Sequence, residues 1–146
     1  MKSSDLKILL GEGEGTMLVQ EIEDPTVAGP CLEDPNTMCL NDGRFRVHSA
    51  FEDFQGNSGV AKQWPLTSDS GYSTFFSDSN VELFIKVLDA CSLTGNYWVF
   101  ASGLTNVDID LYVEDTESGK VWHARNPLGR VFATALDTQT FFTDCD

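Results

Sequence analysis

Short segments of alternating apolar and polar residues recur along the chain from residue 39 onward. The clearest is "NVDIDLYVED" at 106–115, where every second side chain is apolar, and "NVELFIKVLD" at 80–89 repeats the pattern. A period of two is typical of a β-strand that buries one face. We therefore predict strands here and expect a core formed by the apolar positions Phe45, Val47, Phe51, Val81, Leu83, Ile85, Val87, Val99, Val107, Ile109, Leu111 and Val113.

Turn-forming segments separate these strands at intervals of about ten residues. "DFQGNSG", "SDSGY", "LTGN", "TESGK" and "NPLG" combine Gly, Asn, Asp, Ser and Pro, which are the residues that tight turns favour. Short strands at this spacing predict an all-β fold. We expect an antiparallel β-sandwich of immunoglobulin-like or jelly-roll-like type.

The first 38 residues differ in composition from the rest of the chain. They are rich in acidic residues, Gly and Pro, as in "GEGEG" and "EDPTVAGPCLEDPN". We expect residues 1–38 to form an extended acidic leader with one candidate strand at 16–22, and residues 39–146 to form the sandwich domain. Exchange of that strand between copies, by pairing with an exposed sheet edge, would make the protein an assembly module.

The overall charge argues against two classes of partner. Twenty-three acidic residues against nine basic ones give a formal net charge of −14. Such a field repels phosphate backbones and anionic headgroups, so we expect neither nucleic-acid binding nor membrane insertion. The chain also has no run of eighteen apolar residues of the kind that a membrane-spanning helix requires.

The chain has four cysteines, none of which belongs to a C-x-x-C pair: Cys31, Cys39, Cys91 and Cys145. Zinc sites usually have closer pairs or nearby histidines, and two disulfides in an exported protein are the favoured interpretation. Four buried thiols in a cytosolic protein are the alternative. Of the three pairings that four cysteines allow, we favour Cys31 with Cys39 and Cys91 with Cys145.

Asp108 and Asp110 are the candidate metal ligands. Both lie on the same face of the predicted strand, and calcium prefers carboxylate oxygens. The segment lacks the glycine and the regularly spaced oxygen ligands of an EF-hand loop. A solvent-exposed hairpin is therefore the favoured interpretation and a weak calcium site the alternative. We expect no other cofactor.

Four aromatic residues are candidate carbohydrate contacts, because rings exposed on a β-sheet can stack on sugars: Trp64, Tyr72, Trp98 and Trp122. Packing inside the sandwich is the competing explanation for these rings. Motifs such as G-x-S-x-G and H-E-x-x-H do not occur in the chain. We therefore predict no catalytic residue, and a small secreted hydrolase with an unrecognised site is the alternative.

From Cys39 to about Phe142 the chain resembles an uncharacterised bacterial extracellular β-sandwich module, which is often C-terminal in exported proteins. The segments that carry the resemblance are "CLNDGRFRV", "DFQGNSG", "LTSDSGY", "NVELFIKVLD", "NYWVFASGLTNV" and "NPLGR". The resemblance implies a β fold and an extracellular or cell-surface location, and it implies no activity.

These observations together predict a non-catalytic secreted or cell-surface module that acts in structure, adhesion or assembly. The expected partners are other copies of the chain or other extracellular domains, and polysaccharide if the module binds carbohydrate.

Overall fold

The computed structural model describes residues 29–142 and residue 145, which form two antiparallel β-sheets packed against each other. This confirms the predicted all-β sandwich. In the described ranges, no helix has the length and apolar character that a bilayer crossing requires. The elements are β1 (Met38–Leu40), β2 (Phe45–Glu52), β3 (Ser58–Val60), β4 (Lys62–Thr67), β5 (Ser70–Thr74), β6 (Val81–Ala90), α1 (Cys91–Thr94), β7 (Asn96–Gly103), β8 (Asp108–Asp115), β9 (Val121–Asn126) and β10 (Ala135–Phe142).

The first sheet has the strand order β1-β2-β8-β9, and β3 pairs with the second half of β2. The longest pairing of this sheet joins β2 to β8 over eight residues, from Phe45 opposite Asp115 to Glu52 opposite Asp108. The second sheet has the order β10-β7-β6-β5-β4. Within it β6 is the middle strand, so its outward side chains lie at the centre of that sheet's outer face.

The core lies between the sheets and follows the predicted alternation. The first sheet contributes the alternating residues in and just before β8, which are Val107, Ile109, Leu111 and Val113. They pack against an apolar stripe on the second sheet that includes Leu83, Ile85, Val87 and Val99. Ten of the twelve predicted core residues are buried. The other two, Phe51 and Val81, are half-buried, and Phe51 stacks on Phe75 at the rim of the core.

A buried ion pair connects the two sheets at one end of the sandwich. Arg44 donates two hydrogen bonds to the Asp115 carboxylate, at 3.0 and 2.9 Å, and its guanidinium lies 4.9 Å from the centre of the Tyr97 ring on β7. Burial alone would raise the pKa of Asp115. The hydrogen bonds from Arg44, Glu117 and Ser118 outweigh burial and hold that pKa below its ordinary value.

A glycine allows β1 to approach the second sheet closely. A Cβ atom at Gly71 on β5 would collide with the Met38 sulfur and would lie 2.6 Å from the Trp64 carbonyl oxygen. Met38 is fully buried, so this contact closes one side of the sandwich. It also fixes the position of β5, whose outward side chains form part of the candidate site described below.

Residues before the predicted domain boundary at residue 39 contact the strands of the sandwich. Arg46, which pairs with Glu114, also donates to the carbonyl oxygens of Gly29 and Pro30, at 3.2 and 3.4 Å. Asn36 donates to the Ala61 carbonyl oxygen at 3.0 Å. Residues 29–37 therefore belong to the folded body. The candidate strand at 16–22 lies outside the described residues.

Two disulfide bonds join the four cysteines in the favoured pairing, Cys31 with Cys39 and Cys91 with Cys145, and none of the four is free. The first disulfide closes a short loop that ends at Cys39 within β1. The second ties α1 to a residue beyond β10. Stable disulfides form in oxidising compartments, which is typical of extracellular proteins.

The two disulfides should contribute unequally to stability. Their cysteines are separated by 8 and 54 residues, and in the chain-entropy account the longer loop restricts the unfolded chain more. Replacing Cys91 and Cys145 with Ser should therefore lower the free energy of unfolding by about 1–2 kcal/mol more than replacing Cys31 and Cys39. Urea denaturation of the two double variants measures this difference. Equal losses would show that strain or residual structure, not loop length, governs the effect.

Candidate functional site

The outer face of the second sheet carries a row of three aromatic side chains. Trp64 on β4 is opposite Tyr72 on β5, and Tyr72 is opposite Phe84 on β6. Directly paired residues on antiparallel strands point to the same face, so the three rings lie side by side across the sheet. We call Trp64, Tyr72 and Phe84 the aromatic row.

The rings of the aromatic row are ordered by contacts with each other and with their neighbours. The Trp64 and Tyr72 ring centres are 6.1 Å apart and nearly parallel, and the Phe84 ring centre lies 6.3 Å from that of Tyr72. Trp64 Nε1 donates to Thr74 Oγ1 at 2.9 Å, which fixes the indole. Lys62 Nζ lies 5.5 Å from the Trp64 ring centre. Trp64 and Tyr72 are half-buried, and Phe84 is 41% exposed.

A shallow apolar groove of about 190 Å³ adjoins the aromatic row on the same face. Phe84 belongs to both features, and Phe100 on β7 forms another part of the groove lining. Leu66, at the end of β4, is 59% exposed beside the groove. The polar side chains along the groove are Ser70, Lys86, Ser102 and Thr134. Such a concave apolar surface with a few polar groups has the composition of a ligand site.

Lys86 is the exposed cation of this groove. It lies on β6 opposite Ser70 on one side and Phe100 on the other. The hydrogen bonds and ion pairs among residues 29–142 and 145 include none from its ammonium group. The structure therefore leaves a charged donor available in the middle of an apolar surface.

Trp98, another predicted sugar contact, lies on the same outer face but in a different row. It is opposite Leu88, and its ring meets Phe100 edge-to-face at 6.3 Å. Its Nε1 donates to Thr94 Oγ1 at 3.1 Å. Three of the four predicted aromatic contacts, Trp64, Tyr72 and Trp98, thus share one face of one sheet.

The prediction for Trp122 is wrong as a surface contact. Trp122 on β9 pairs with Val113, which faces the core, and only 9% of its surface is exposed. Its neighbours Val121 and His123 take the outward positions instead. The tryptophan packs in the hydrophobic core because its position lies on the inner face of β9.

The outer face of the first sheet holds the candidate metal ligands, and the polar groups there form hydrogen bonds and ion pairs with one another. Asp108 accepts two hydrogen bonds from Arg125, one of them at 2.8 Å, and Asp110 accepts from Arg125 at 3.2 Å and is 2.8 Å from His123 Nε2. Hydrogen bonding to Asp108 raises the pKa of Arg125, so this cation stays charged. A calcium ion at the two carboxylates would have to displace the Arg125 guanidinium. Calcium binding stays a prediction.

No cluster of three or more His, Cys, Asp or Glu side chains suited to a metal ion occurs in the described part of the chain. Asp108 and Asp110 do share a face, as their spacing predicted. The alternation pattern did not show that Arg125 and His123 would lie beside them, because the register of the β8–β9 hairpin is set by the type and length of its turn.

A stack of three rings crosses the same face. His48, Tyr112 and His123 are consecutive partners across β2, β8 and β9, with ring-centre distances of 5.1 and 4.5 Å. Burial lowers the pKa of His48 to about 4, and electrostatic repulsion from Arg46 and His123 adds to the effect. His48 is half-buried in this stack and was predicted to be an exposed strand residue.

Sequence reasoning missed Phe84, Lys86 and Phe100. A signal for Phe84 and Lys86 was present in "NVELFIKVLD", because both alternate with the apolar residues that face the core. Phe100 likewise alternates with Val99 and Ala101, which are buried. An aromatic residue in the outward phase of a strand is the signal that would have identified two of these three positions.

Comparison of the chain with protein-family models, with curated proteins and with solved structures found no match. The resemblance to an extracellular module is therefore without support from these comparisons, and the β-sandwich is the part of it that the structure bears out.

His48 should make the protein less stable in mild acid. Its pKa is about 4 in the folded state and near 6.5 in an unfolded chain, so below pH 6.5 the unfolded state binds the proton more readily. The contribution of this residue to stability is complete above pH 6.5 and is lost as the pH falls toward 4. We expect a loss of about 1–2 kcal/mol between pH 7 and pH 5.

His48→Phe is the matched variant, because phenylalanine can stack on Tyr112 and cannot be protonated. Chemical denaturation at pH 7, 6 and 5 should show a smaller decrease in unfolding free energy for the variant than for the original chain. Identical pH dependence in the two proteins would contradict the assignment.

Proposed function

We propose that the protein is a non-catalytic, exported binding module that attaches to polysaccharide through the aromatic row. The observation that supports this most directly is the register of Trp64, Tyr72 and Phe84, which places three rings side by side on one exposed sheet face. Exposed apolar patches on a soluble domain mark interaction sites.

Carbohydrate fits this surface for chemical reasons. The C–H groups on a sugar ring form an apolar face that can stack on an aromatic ring, while its hydroxyl groups hydrogen-bond around the edge. The aromatic row offers adjacent rings to successive sugars of a chain. Ser70 and Lys86 lie beside the row and provide hydrogen-bonding groups.

The proposal of a non-catalytic role rests on the chemistry near the aromatic row. Glycoside hydrolysis usually needs two carboxyl groups on either side of the scissile bond. Among the described residues of β6, Glu82 is the acidic residue on the outer face of the sheet. It is buried, and burial raises its pKa. A product-release assay on the bound polysaccharide tests this point, because soluble oligosaccharides would reveal a hydrolase.

Export is supported by the two disulfides, since such bonds persist in oxidising compartments. The excess of acidic residues is compatible with a soluble domain that works outside the cell and does not bind nucleic acid.

Removal of single rings should weaken polysaccharide binding. Trp64→Ala, Tyr72→Ala and Phe84→Ala should each reduce affinity roughly tenfold, because each removes one stacking surface. Affinity electrophoresis and pull-down assays measure the effect with a panel of neutral and acidic polysaccharides. The thermal transition of each variant verifies that it is folded.

Phe54→Ala is the matched control. Phe54 is 61% exposed in the turn after β2, outside the second sheet, so the variant loses an exposed ring elsewhere on the molecule. We expect it to bind like the original chain. If the control and the three row variants lose affinity equally, or if the unaltered protein binds no polysaccharide of the panel, the proposed function is contradicted.

Assembly is a second candidate function, and the sheet edges favour it. Among the described strands, β9 and β10 each have a hydrogen-bonded partner on one side and no strand partner on the other. Exposed edges can accept a further strand from another chain. We propose that the segment at 16–22 of a neighbouring copy is such a strand, so that copies assemble by exchange.

Deletion of residues 1–24 tests assembly. We expect the shortened protein to keep its thermal transition and to lose self-association, measured by sedimentation over a range of concentrations, because the folded body retains its core while the donor strand is gone. The undeleted chain is the control. The same size distribution for both proteins would contradict strand exchange and leave the polysaccharide proposal unaffected.

A further inference from the structure

We infer that the polysaccharide bound by the aromatic row carries carboxylate groups at intervals along an otherwise neutral chain, and that Lys86 recognises them. This inference rests on the proposed function and adds the chemical class of the ligand. It starts from the position of Lys86 within the groove.

Lys86 is placed where a stacked sugar chain would pass. Along β6 it is two residues from Phe84, which belongs to the aromatic row, and across the sheet it is opposite Phe100 and Ser70. Residues two apart on a strand are on the same face and about 7 Å apart. A sugar that stacks on Phe84 therefore brings its substituents within reach of the Lys86 ammonium group.

The other charges on this face are already satisfied or are buried. Lys62 pairs with Asp78 through two hydrogen bonds, at 3.0 and 3.1 Å. Glu82 is 4% exposed, and burial raises its pKa, which disfavours its charged form. Within the described outward positions of β4 to β7, the remaining charge is the exposed cation of Lys86.

An exposed lysine inside an apolar groove is informative because the protein as a whole is strongly acidic. The chain has nine basic residues against twenty-three acidic ones, which gives a formal net charge of −14. Local charge dominates at a binding surface, since salt screens charges beyond about 8 Å at physiological ionic strength. The groove therefore presents a positive site within a molecule whose wider field is negative.

The positive charge of Lys86 and the negative charge of the rest of the protein together indicate which polysaccharides can bind. A polymer that carries a charge on every residue, such as nucleic acid or polygalacturonate, also brings charges close to the many carboxylates of the protein surface, which repel it. The positive groove favours an occasional carboxylate, which forms a charge-assisted hydrogen bond with an ammonium group. A glycan with uronic acid residues spaced along a neutral backbone satisfies both conditions, and its neutral sugars stack on the aromatic row.

The experiment compares glucuronoxylan with the same polysaccharide after chemical reduction of its carboxyl groups to alcohols. The two polymers share a backbone and differ in charge. We expect binding to the acidic form to be on the order of tenfold tighter, as for a hydrogen bond to a charged group. Polygalacturonate should bind more weakly than glucuronoxylan, and added salt should weaken binding to glucuronoxylan but not to its reduced form.

Two variants of Lys86 test the role of this residue. Lys86→Met keeps the length of the side chain and removes its charge, so it should bind the acidic and reduced polymers equally. Lys86→Arg should preserve the preference for the acidic form. Lys120→Met, in the turn between β8 and β9, makes the same change in net charge on a different part of the molecule and should retain the preference.

Equal binding of acidic and reduced glucuronoxylan by the unaltered protein overturns the inference and supports the proposed function. A preference for the acidic form that survives in Lys86→Met also overturns it, because another residue would then be responsible. Tightest binding to polygalacturonate overturns the requirement for spaced charges. Failure to bind either form of glucuronoxylan or any other polysaccharide of the panel contradicts the proposed function itself.

Discussion

The burial of one face of β6 is the constraint on which the candidate site depends. Leu83, Ile85 and Val87 are at most 2% exposed, and they pack against the apolar face of the first sheet. Because neighbouring residues on a strand point to opposite faces, burying these three leaves Phe84 and Lys86 on the outside. Burial of apolar surface is the dominant stabilising term in folding, so the outward positions follow from the core and need no stabilising contact of their own.

Two contacts near the ends of the strands join the first sheet to the second. The Arg44–Asp115 pair joins β2 to the end of β8 and places its guanidinium against Tyr97 of the second sheet. The absence of a side chain at Gly71 lets Met38 of β1 pack on β5, next to Tyr72, which is paired with Trp64 and Phe84. A shift of one residue in β5 would turn Tyr72 toward the core and break the aromatic row. The site therefore depends on packing far from its own surface.

The fold was predictable from the sequence to a greater extent than the site. Strict alternation, as in Val107 to Val113, depends on local pattern alone. The favoured disulfide pairing is the one observed, although the sequence allowed two others. The site depends on which strands become neighbours. Trp64 and Tyr72 pair across the β4–β5 hairpin, and Asp108 and Arg125 across the β8–β9 hairpin. The alternation pattern does not show these pairs, because the register of a hairpin follows from the type and length of its turn. Trp122 illustrates the same limit, since its strand phase was clear only once the pairing with Val113 was known.

The outer faces of the two sheets differ in how far their polar groups satisfy each other, and this difference points to the second sheet as the binding face. On the first sheet Arg125 is held by Asp108 and Asp110, and His123 by Asp110 and the Tyr112 ring. A ligand there would have to break existing ion pairs before it could bind. On the second sheet the aromatic row is partly exposed, and among the described residues no carboxylate forms an ion pair with Lys86. A ligand gains most where it replaces water and displaces no protein contact, because polar groups that lose a partner on binding reduce the affinity.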